Sequence, residues 1–277
     1  AAQDAEAEEQ IESVAPIMTQ SSMNVFRRFS AEPEKMYAFY GDALGLKRST
    51  SFALGGSAMV WYQVGNQVVK LTGVVPGREY RHGEIADATG VRLLTFFYSD
   101  QAELVERFKS LGLPGPEFQE IPESGQSRAL VEDPDGQWVE LAVIPDAEKS
   151  IYDRIEIGLV VSDIKSSREF YGGFVGLEPL PPVKDPILKT EKYTFRHGST
   201  LISLRSFGKG LPADTGSGGI QYVVSNAKAV EALAKKRNIT IDQPLNLLAN
   251  TGLLSVWLGD PDDITNYFAQ VGVRKKP

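Results

Sequence analysis

The chain has 277 residues, enough for about two domains, and its 42% hydrophobic and 23% charged residues are ordinary for a globular protein. The formal net charge of -7, with no basic run, argues against non-specific nucleic-acid binding, and no apolar stretch reaches the roughly 18 residues of a membrane span. The absence of cysteine excludes disulfides, thiolate zinc sites and a cysteine nucleophile together.

The amino-terminal stretch carries Asp4, Glu6, Glu8, Glu9 and Glu12, and no Lys or Arg precedes Arg27, so residues 1–21 are expected to form an acidic, flexible leader. The chain opens Ala1-Ala2-Gln3-Asp4 without Met, as an exported protein does after cleavage behind small residues. A periplasmic or secreted location is therefore expected. A chain trimmed for another reason begins the same way, which leaves the cytoplasm as the alternative.

From Ser22 the pattern is strand, helix, then three strands. Met23 to Phe29 predicts a strand, and Ser30-Ala31-Glu32-Pro33 a helix start with a serine cap and an early proline. Met36, Phe39, Tyr40, Ala43 and Leu44 recur at helical spacing, and Gly45 ends the helix. Strands follow near 48–53, 58–64 and 68–73, the last two joined by Gly65-Asn66. The order repeats from Val91: a strand, a helix opened by Asp100-Gln101-Ala102-Glu103, and strands near 117–121, 127–131 and 137–143. Pro145 to Ser150 is a polar linker, after which two more strand-helix-three-strand units run to about residue 271, with a proline-rich loop at 179–186.

The two halves are copies. Phe39-Tyr40-Gly41-Asp42-Ala43-Leu44-Gly45-Leu46 matches Phe170-Tyr171-Gly172-Gly173-Phe174-Val175-Gly176-Leu177, and Asp133-Pro134-Asp135-Gly136 matches Asp260-Pro261-Asp262-Asp263. The expected organisation is two α+β domains, 22–145 and 151–271, each of two βαβββ units forming an open, cup-shaped mixed sheet with its helices outside.

Four such units, the Phe-Tyr-Gly…Gly-Leu helix and the Asp-Pro-Asp-Gly turn before a terminal strand resemble the vicinal oxygen chelate superfamily. That superfamily contains glyoxalase I, bleomycin-resistance proteins, fosfomycin-resistance enzymes and extradiol dioxygenases. The resemblance spans about residues 22–268 and implies cups that hold a small ligand, in some members with a divalent metal on His, Glu or Gln at fixed strand positions. In the family the first ligand sits seven residues before the acid at the helix start. That count gives Val25 before Glu32 and Glu156 before Asp163. The other positions correspond to Lys70, Leu94 and Glu140 in the first half and to Ser203, Ile220 and Tyr267 in the second. One metal-binding side chain per cup is too few for a transition-metal site, so no metal and no cofactor is expected. His82 and His197, the only histidines, fall in loops away from these positions.

Side chains two apart on a strand share a face. The first cup is thus expected to present Arg27, Lys70, Trp138 and Glu140, and the second Glu156, Ser203, Arg205, Tyr222 and Tyr267 with Trp257 beside them. Buried charges must be paired or bind something. Arg27 and Lys70 against Glu140 leave positive charge for an anionic or carbonyl-bearing ligand, or else Glu140 is an ion-paired part of a filled cup. Glu156 is either an ion-pair partner of Arg205 or a general base whose pKa burial raises, with Arg205 or Tyr267 polarising a carbonyl. The expected function is metal-independent binding of a small organic molecule, anionic or aromatic, by a monomer or homodimer. The alternatives are a lyase, isomerase or dioxygenase of the same superfamily using Glu156 or Glu140, and a scaffold whose filled cups only hold the fold.

Overall fold

The computed structural model describes residues 9–54 and 57–274. The first unit comprises β1 (Asn24–Phe29), α1 (Pro33–Tyr37) continuing into a π-helical turn (Ala38–Ala43), β2 (Lys47–Leu54), β3 (Ser57–Val64) and β4 (Gln67–Gly73). The second holds β5 (Gly90–Tyr98), α2 (Gln101–Ser110), β6 (Gln119–Ile121), β7 (Gln126–Glu132) and β8 (Trp138–Val143). A short helix, α3 (Lys149–Tyr152), lies in the linker. The third unit has β9 (Ile155–Val160), α4 (Ile164–Arg168) with its own π-helical turn (Glu169–Phe174), β10 (Glu178–Pro179), β11 (Val183–Lys184), β12 (Glu191–His197) and β13 (Thr200–Arg205). The fourth has β14 (Gly218–Val223), α5 (Ala227–Lys236), β15 (Thr240–Leu248), β16 (Leu253–Gly259) and β17 (Thr265–Gln270).

These elements give the expected α+β architecture of four units and two open mixed sheets. Sheet 1 runs β15-β16-β17-β14-β1-β4-β3-β2, and sheet 2 runs β10-β12-β13-β9-β5-β8-β7-β6. The joins are antiparallel, β1 to β14 and β5 to β9. Sheet 1 therefore combines the first and fourth units, and sheet 2 the second and third. Each sheet draws one unit from each half of the chain, and both are completed within a single chain. None of the described helices is long and apolar enough to cross a membrane.

The helices pack on one face of each sheet and leave the other, the cup face, to the site. A single core on the helix side includes Val25, Tyr40, Leu94, Phe108, Ile157, Tyr171, Tyr222 and Phe268, and so joins all four units. Capping follows local chemistry in three of the four units. Asp100 accepts from Glu103 N at 3.1 Å, Asp163 from Ser166 N at 3.0 Å, and Asn226 from Ala229 N at 3.0 Å. In the fourth unit the cap is thus Asn226. Ser30 is not a cap, since α1 starts after Glu32 without a side-chain cap.

The two repeated motifs recur together because they touch. Tyr40 of the first unit donates to Asp133 of the second at 2.8 Å, and Tyr171 donates to Asp260 at 2.7 Å. Asp135 accepts from Ser30 N, and Asp262 accepts from Ser162 N, tying each turn to a strand-helix junction. Arg27 lies 3.6 Å from Asp133, whereas the place equivalent to Arg27 in the third unit is taken by Leu159. Burial pushes the Asp260 carboxyl up to about 7. Tyr171→Phe removes its hydroxyl donor and is expected to cost about 2 kcal/mol of stability, measured by denaturant unfolding; a loss within error would sink the latch role.

The flexible leader is corrected over its described part. Val14 and Ile17 are buried, Ala15 N donates to Val175 O at 2.7 Å, and Thr19 N donates to Val223 O at 2.9 Å. Its acidic residues are interleaved with apolar ones that close the third and fourth units. Residues 1–8, with Asp4, Glu6 and Glu8, lie outside the described residues.

Candidate functional site

The crossed pairing of units redistributes the expected site residues. On sheet 2, register places Glu140 and Glu156 on either side of Thr95. The two carboxylates expected in separate cups therefore share one. On sheet 1, Lys70 meets Tyr267, on which Trp257 stacks; both rings were expected opposite Glu156. Two expected cup residues lie on the helix side instead. Tyr222 stacks on Phe268 at 4.5 Å between ring centroids and donates to Asn266 at 2.8 Å. Arg27 is fully buried, 3.4 Å from the Tyr40 hydroxyl and 3.6 Å from Asp133.

The reason for Arg27 is a one-residue offset. Ser30 and Ser162 play the same part against Asp135 and Asp262. Two residues, Ala31 and Glu32, separate Ser30 from α1, whereas one, Asp163, separates Ser162 from α4. Counting back from the helix start thus slips by one in the first unit, and a slip of one exchanges the faces of a strand. The counterpart of Glu156 is Asn24, not Val25, and the cup face of β1 is Asn24, Phe26 and Arg28. Leu94 and Ile220 likewise belong to the core, and their neighbours Thr95 and Gln221 face the cups.

The cup of sheet 2 is filled by an ionic network, in which Glu140 Oε2 and Arg128 Nε have no hydrogen-bond partner among the described residues. Glu140 accepts from Thr95 at 2.9 Å and from Arg128 at 2.8 Å. Glu156 accepts from Lys192 at 3.2 Å and Ser203 at 3.0 Å, with Arg205 at 3.6 Å. Arg205 also donates to Asp185 at 2.7 Å, and Asp185 comes from the proline-rich loop that folds over this face. Gly158 makes room for the crossing: an added Cβ would lie 3.1 Å from Arg205 Nη1. Three carboxylates thus meet three cations. Burial alone would raise the Glu156 carboxyl, but Lys192, Arg205 and Arg128 together hold it at about 2. This reverses the expected upward shift. Trp138 sits at the rim, donating from Nε1 to Gly83 O at 2.8 Å and packing near Leu93 and Ile85.

The cup of sheet 1 has the opposite character. Lys70 donates to the Tyr267 hydroxyl at 3.2 Å and lies 4.3 Å from the centroid of the Trp61 ring. Trp257 stacks on Tyr267 at 4.5 Å, and Phe26 packs 5.7 Å from Tyr267. The Phe26 ring occupies the space over Gly219, where a Cβ would come 2.3 Å from its Cζ. Arg28 lies 4.9 Å over the Phe26 ring and donates to Gly216 O at 3.1 Å. Asn24 donates to Gln221 at 3.0 Å at one end. Among the described residues, no carboxylate is within ion-pair distance of Lys70 or Arg28. Burial holds the Lys70 amine at about 7 and pushes the Tyr267 phenol up. Lys70 and Phe26 are buried, while Trp61 and Trp257 are half-buried and give the cup a wall reachable from solvent. Beyond β4, Arg78 reaches Asp242 on β15 at 3.8 Å.

Neither donor set fits the divalent metal that the resemblance implies. In sheet 2 the carboxylates are already neutralised by Arg128, Lys192 and Arg205, so a divalent cation would meet three like charges at close range. In sheet 1 the corresponding positions are Asn24, Lys70, Gln221 and Tyr267, with no carboxylate and a cation among them. Among the described residues, no three His, Cys, Asp or Glu side chains are grouped to hold a metal ion. His82 is a loop residue 3.5 Å from Asp135, whereas His197, expected in a loop, ends β12 with its Nε2 2.9 Å from Gln20 O.

Sequence reasoning missed Asn24, Phe26, Arg28, Trp61, Thr95, Arg128, Asp185 and Lys192. For the β1 residues, aligning Ser30 with Ser162 was the available signal. For Asp185 there was none, because a loop carries no periodicity.

Comparison with known proteins follows the fold. Glyoxalase I from Zea mays superposes with a TM-score of 0.71 at 19% identity, covering 90% of this chain and 92% of that one. A putative dioxygenase from Bacillus subtilis superposes with a TM-score of 0.60 at 14% identity, covering 92% of this chain and 85% of that one. Identities this low speak for the fold alone. A sequence comparison with curated proteins returns no match. Residues 22–141 match the family model described as Glyoxalase/Bleomycin resistance protein/Dioxygenase superfamily. The match is confined to the first half, and over the whole chain the four βαβββ units in two open sheets share the fold of glyoxalase I.

Proposed function

We propose that the chain binds a small organic anion carrying an apolar ring, and that the cup of sheet 1 is the binding site. The observation that supports this is Lys70, a buried cation with no carboxylate within ion-pair distance among the described residues, set between Trp61 and Tyr267, with Arg28 over the ring of Phe26 on the adjacent strand. A buried ammonium without a counter-charge is costly, and a bound carboxylate, sulfonate or phosphate supplies that charge. Trp61, Trp257 and Phe26 supply apolar and π surface for a ring. Both cups are complete in one chain, so a monomer suffices for binding.

A reaction run by Glu156 and Glu140 has less support. A general base works best with a pKa near the working pH, and Glu156 is held at about 2. The network of sheet 2 favours a structural part for that cup.

Two of the three tryptophans line the cup of sheet 1, so intrinsic fluorescence reports directly on it. Titration with aromatic carboxylates at pH 6.5 is expected to quench the emission saturably. Lys70→Met is expected to weaken binding about tenfold, or about 1.4 kcal/mol. Quenching that Lys70→Met leaves unchanged would remove this cup from consideration.

A further inference from the structure

Among the described residues, the Lys70 amine has one hydrogen-bond partner, the Tyr267 hydroxyl at 3.2 Å, and its other neighbours are ring faces, Trp61 at 4.3 Å and Tyr267 at 5.8 Å. A lysine locked against a carboxylate keeps its proton and its lone pair is engaged. Here the groups that face it are the phenol of Tyr267 from β17, the indole of Trp61 from β3, and Phe26 from β1, with the Arg28 guanidinium over the Phe26 ring. None is an anion at neutral pH. Burial also holds the amine at about 7, so a large share carries a free lone pair near neutrality, which an exposed lysine does not.

We infer that Lys70 is a nucleophile that condenses reversibly with the aldehyde or ketone carbonyl of a ring-bearing carboxylate, with Tyr267 relaying the protons and Arg28 holding the carboxylate. This rests on the anion-binding reading of the same cup and adds covalent chemistry to it. In the first step the Nζ lone pair forms a bond to the carbonyl carbon. The π pair moves to the oxygen, which takes the Tyr267 proton while the Tyr267 oxygen takes a proton from the new ammonium, leaving a carbinolamine. In the second step the hydroxyl departs as water with the Tyr267 proton. The nitrogen lone pair closes the C=N bond, and the remaining N–H proton returns to Tyr267. Amine and carbonyl become imine and water, nothing is oxidised or reduced, and Tyr267 ends as it began. Its raised phenol pKa suits this part, because the group stays protonated between turns.

The test uses the full chain at pH 7 with para-carboxybenzaldehyde as probe and cyanoborohydride to reduce any imine to a stable secondary amine. Peptide mass spectrometry then locates the adduct, and terephthalate, which has the ring and carboxylates but no aldehyde, is titrated separately by tryptophan fluorescence. The expected result is one dominant adduct, on Lys70, suppressed by excess terephthalate and slowed about 100-fold in Tyr267→Phe. Lys70→Arg, which keeps the charge and cannot form an imine, is expected to bind terephthalate and to lose the adduct. Terephthalate binding with label scattered over other lysines and Lys70 unmodified would overturn the imine while leaving the anion site intact. No terephthalate binding and no Lys70 adduct would overturn both.

Discussion

Lys70→Met is expected to stabilise the protein by about 5 kcal/mol at pH 6 and to leave its stability almost unchanged at pH 10.5. The amine titrates at about 7 in the folded chain against 10.5 when free. Between those values the unfolded chain binds the extra proton, so wild-type stability rises with pH from about 7 to 10.5. Below about 7 both states are charged and the full cost of burying the ammonium remains. A shift of that size corresponds to roughly 5 kcal/mol, a net cost that remains even with the Trp61 ring face against the ammonium. Methionine fills the same volume without a charge. Urea unfolding of both proteins at pH 6 and pH 10.5 gives the comparison. A variant less stable than wild type at pH 6 would mean that a protein group already neutralises Lys70, and the argument for a ligand anion would fall with it. The expected gain is the sign of a residue kept for what it does, since function is the common reason to retain a destabilising group.

The largest loss is expected in the other cup. Glu156→Ala should destabilise the fold by about 4 kcal/mol at pH 7, because it leaves Lys192 and Arg205 buried around an empty place. Both cations lie within 3.6 Å of the Glu156 carboxylate. The same interaction sets a pH dependence. The folded carboxyl titrates at about 2 against 4.5 when free, so its contribution is fully present above about 4.5 and is lost as pH falls toward 2. Thermal or denaturant unfolding from pH 7 to pH 2 is expected to show wild type losing about 3 kcal/mol more than the variant over that window. Equal stability of the two proteins at pH 7 would show that the network of sheet 2 is not structural, and would return Glu156 to the list of candidate reactive groups.

The contrast between the two cups carries the functional argument. Duplication placed equivalent strands in both sheets, yet one cup pairs three carboxylates with three cations and the other holds Lys70 and Arg28 among aromatic rings. A filled, self-neutral cup supports the fold, and the unbalanced one is where a ligand gains most. Within one chain the repeats have thus diverged, with ionic packing in sheet 2 and an electropositive aromatic wall in sheet 1.

Much of this organisation is written locally in the chain. The four units follow from hydrophobic period, from caps such as Asp100 and Asp163, and from the repeated Phe-Tyr-Gly and Asp-Pro-Asp turns, which act over a few residues. The resemblance to the superfamily pointed to Lys70, Glu140, Glu156, Ser203 and Tyr267 as cup-face residues, and alternation along the strand from Ser203 added Arg205. Tertiary structure decided which of those faces meet. Pairing β1 with β14 and β5 with β9 joins strands far apart in sequence, and no local pattern says which edge accepts which. It also decided the face of β1, where one added residue before α1 turned Arg27 toward Asp133 and Arg28 toward the cup. Periodicity in a strand is two, so the sequence determined the alternation of its faces, and only packing against the helices determined which face was inside.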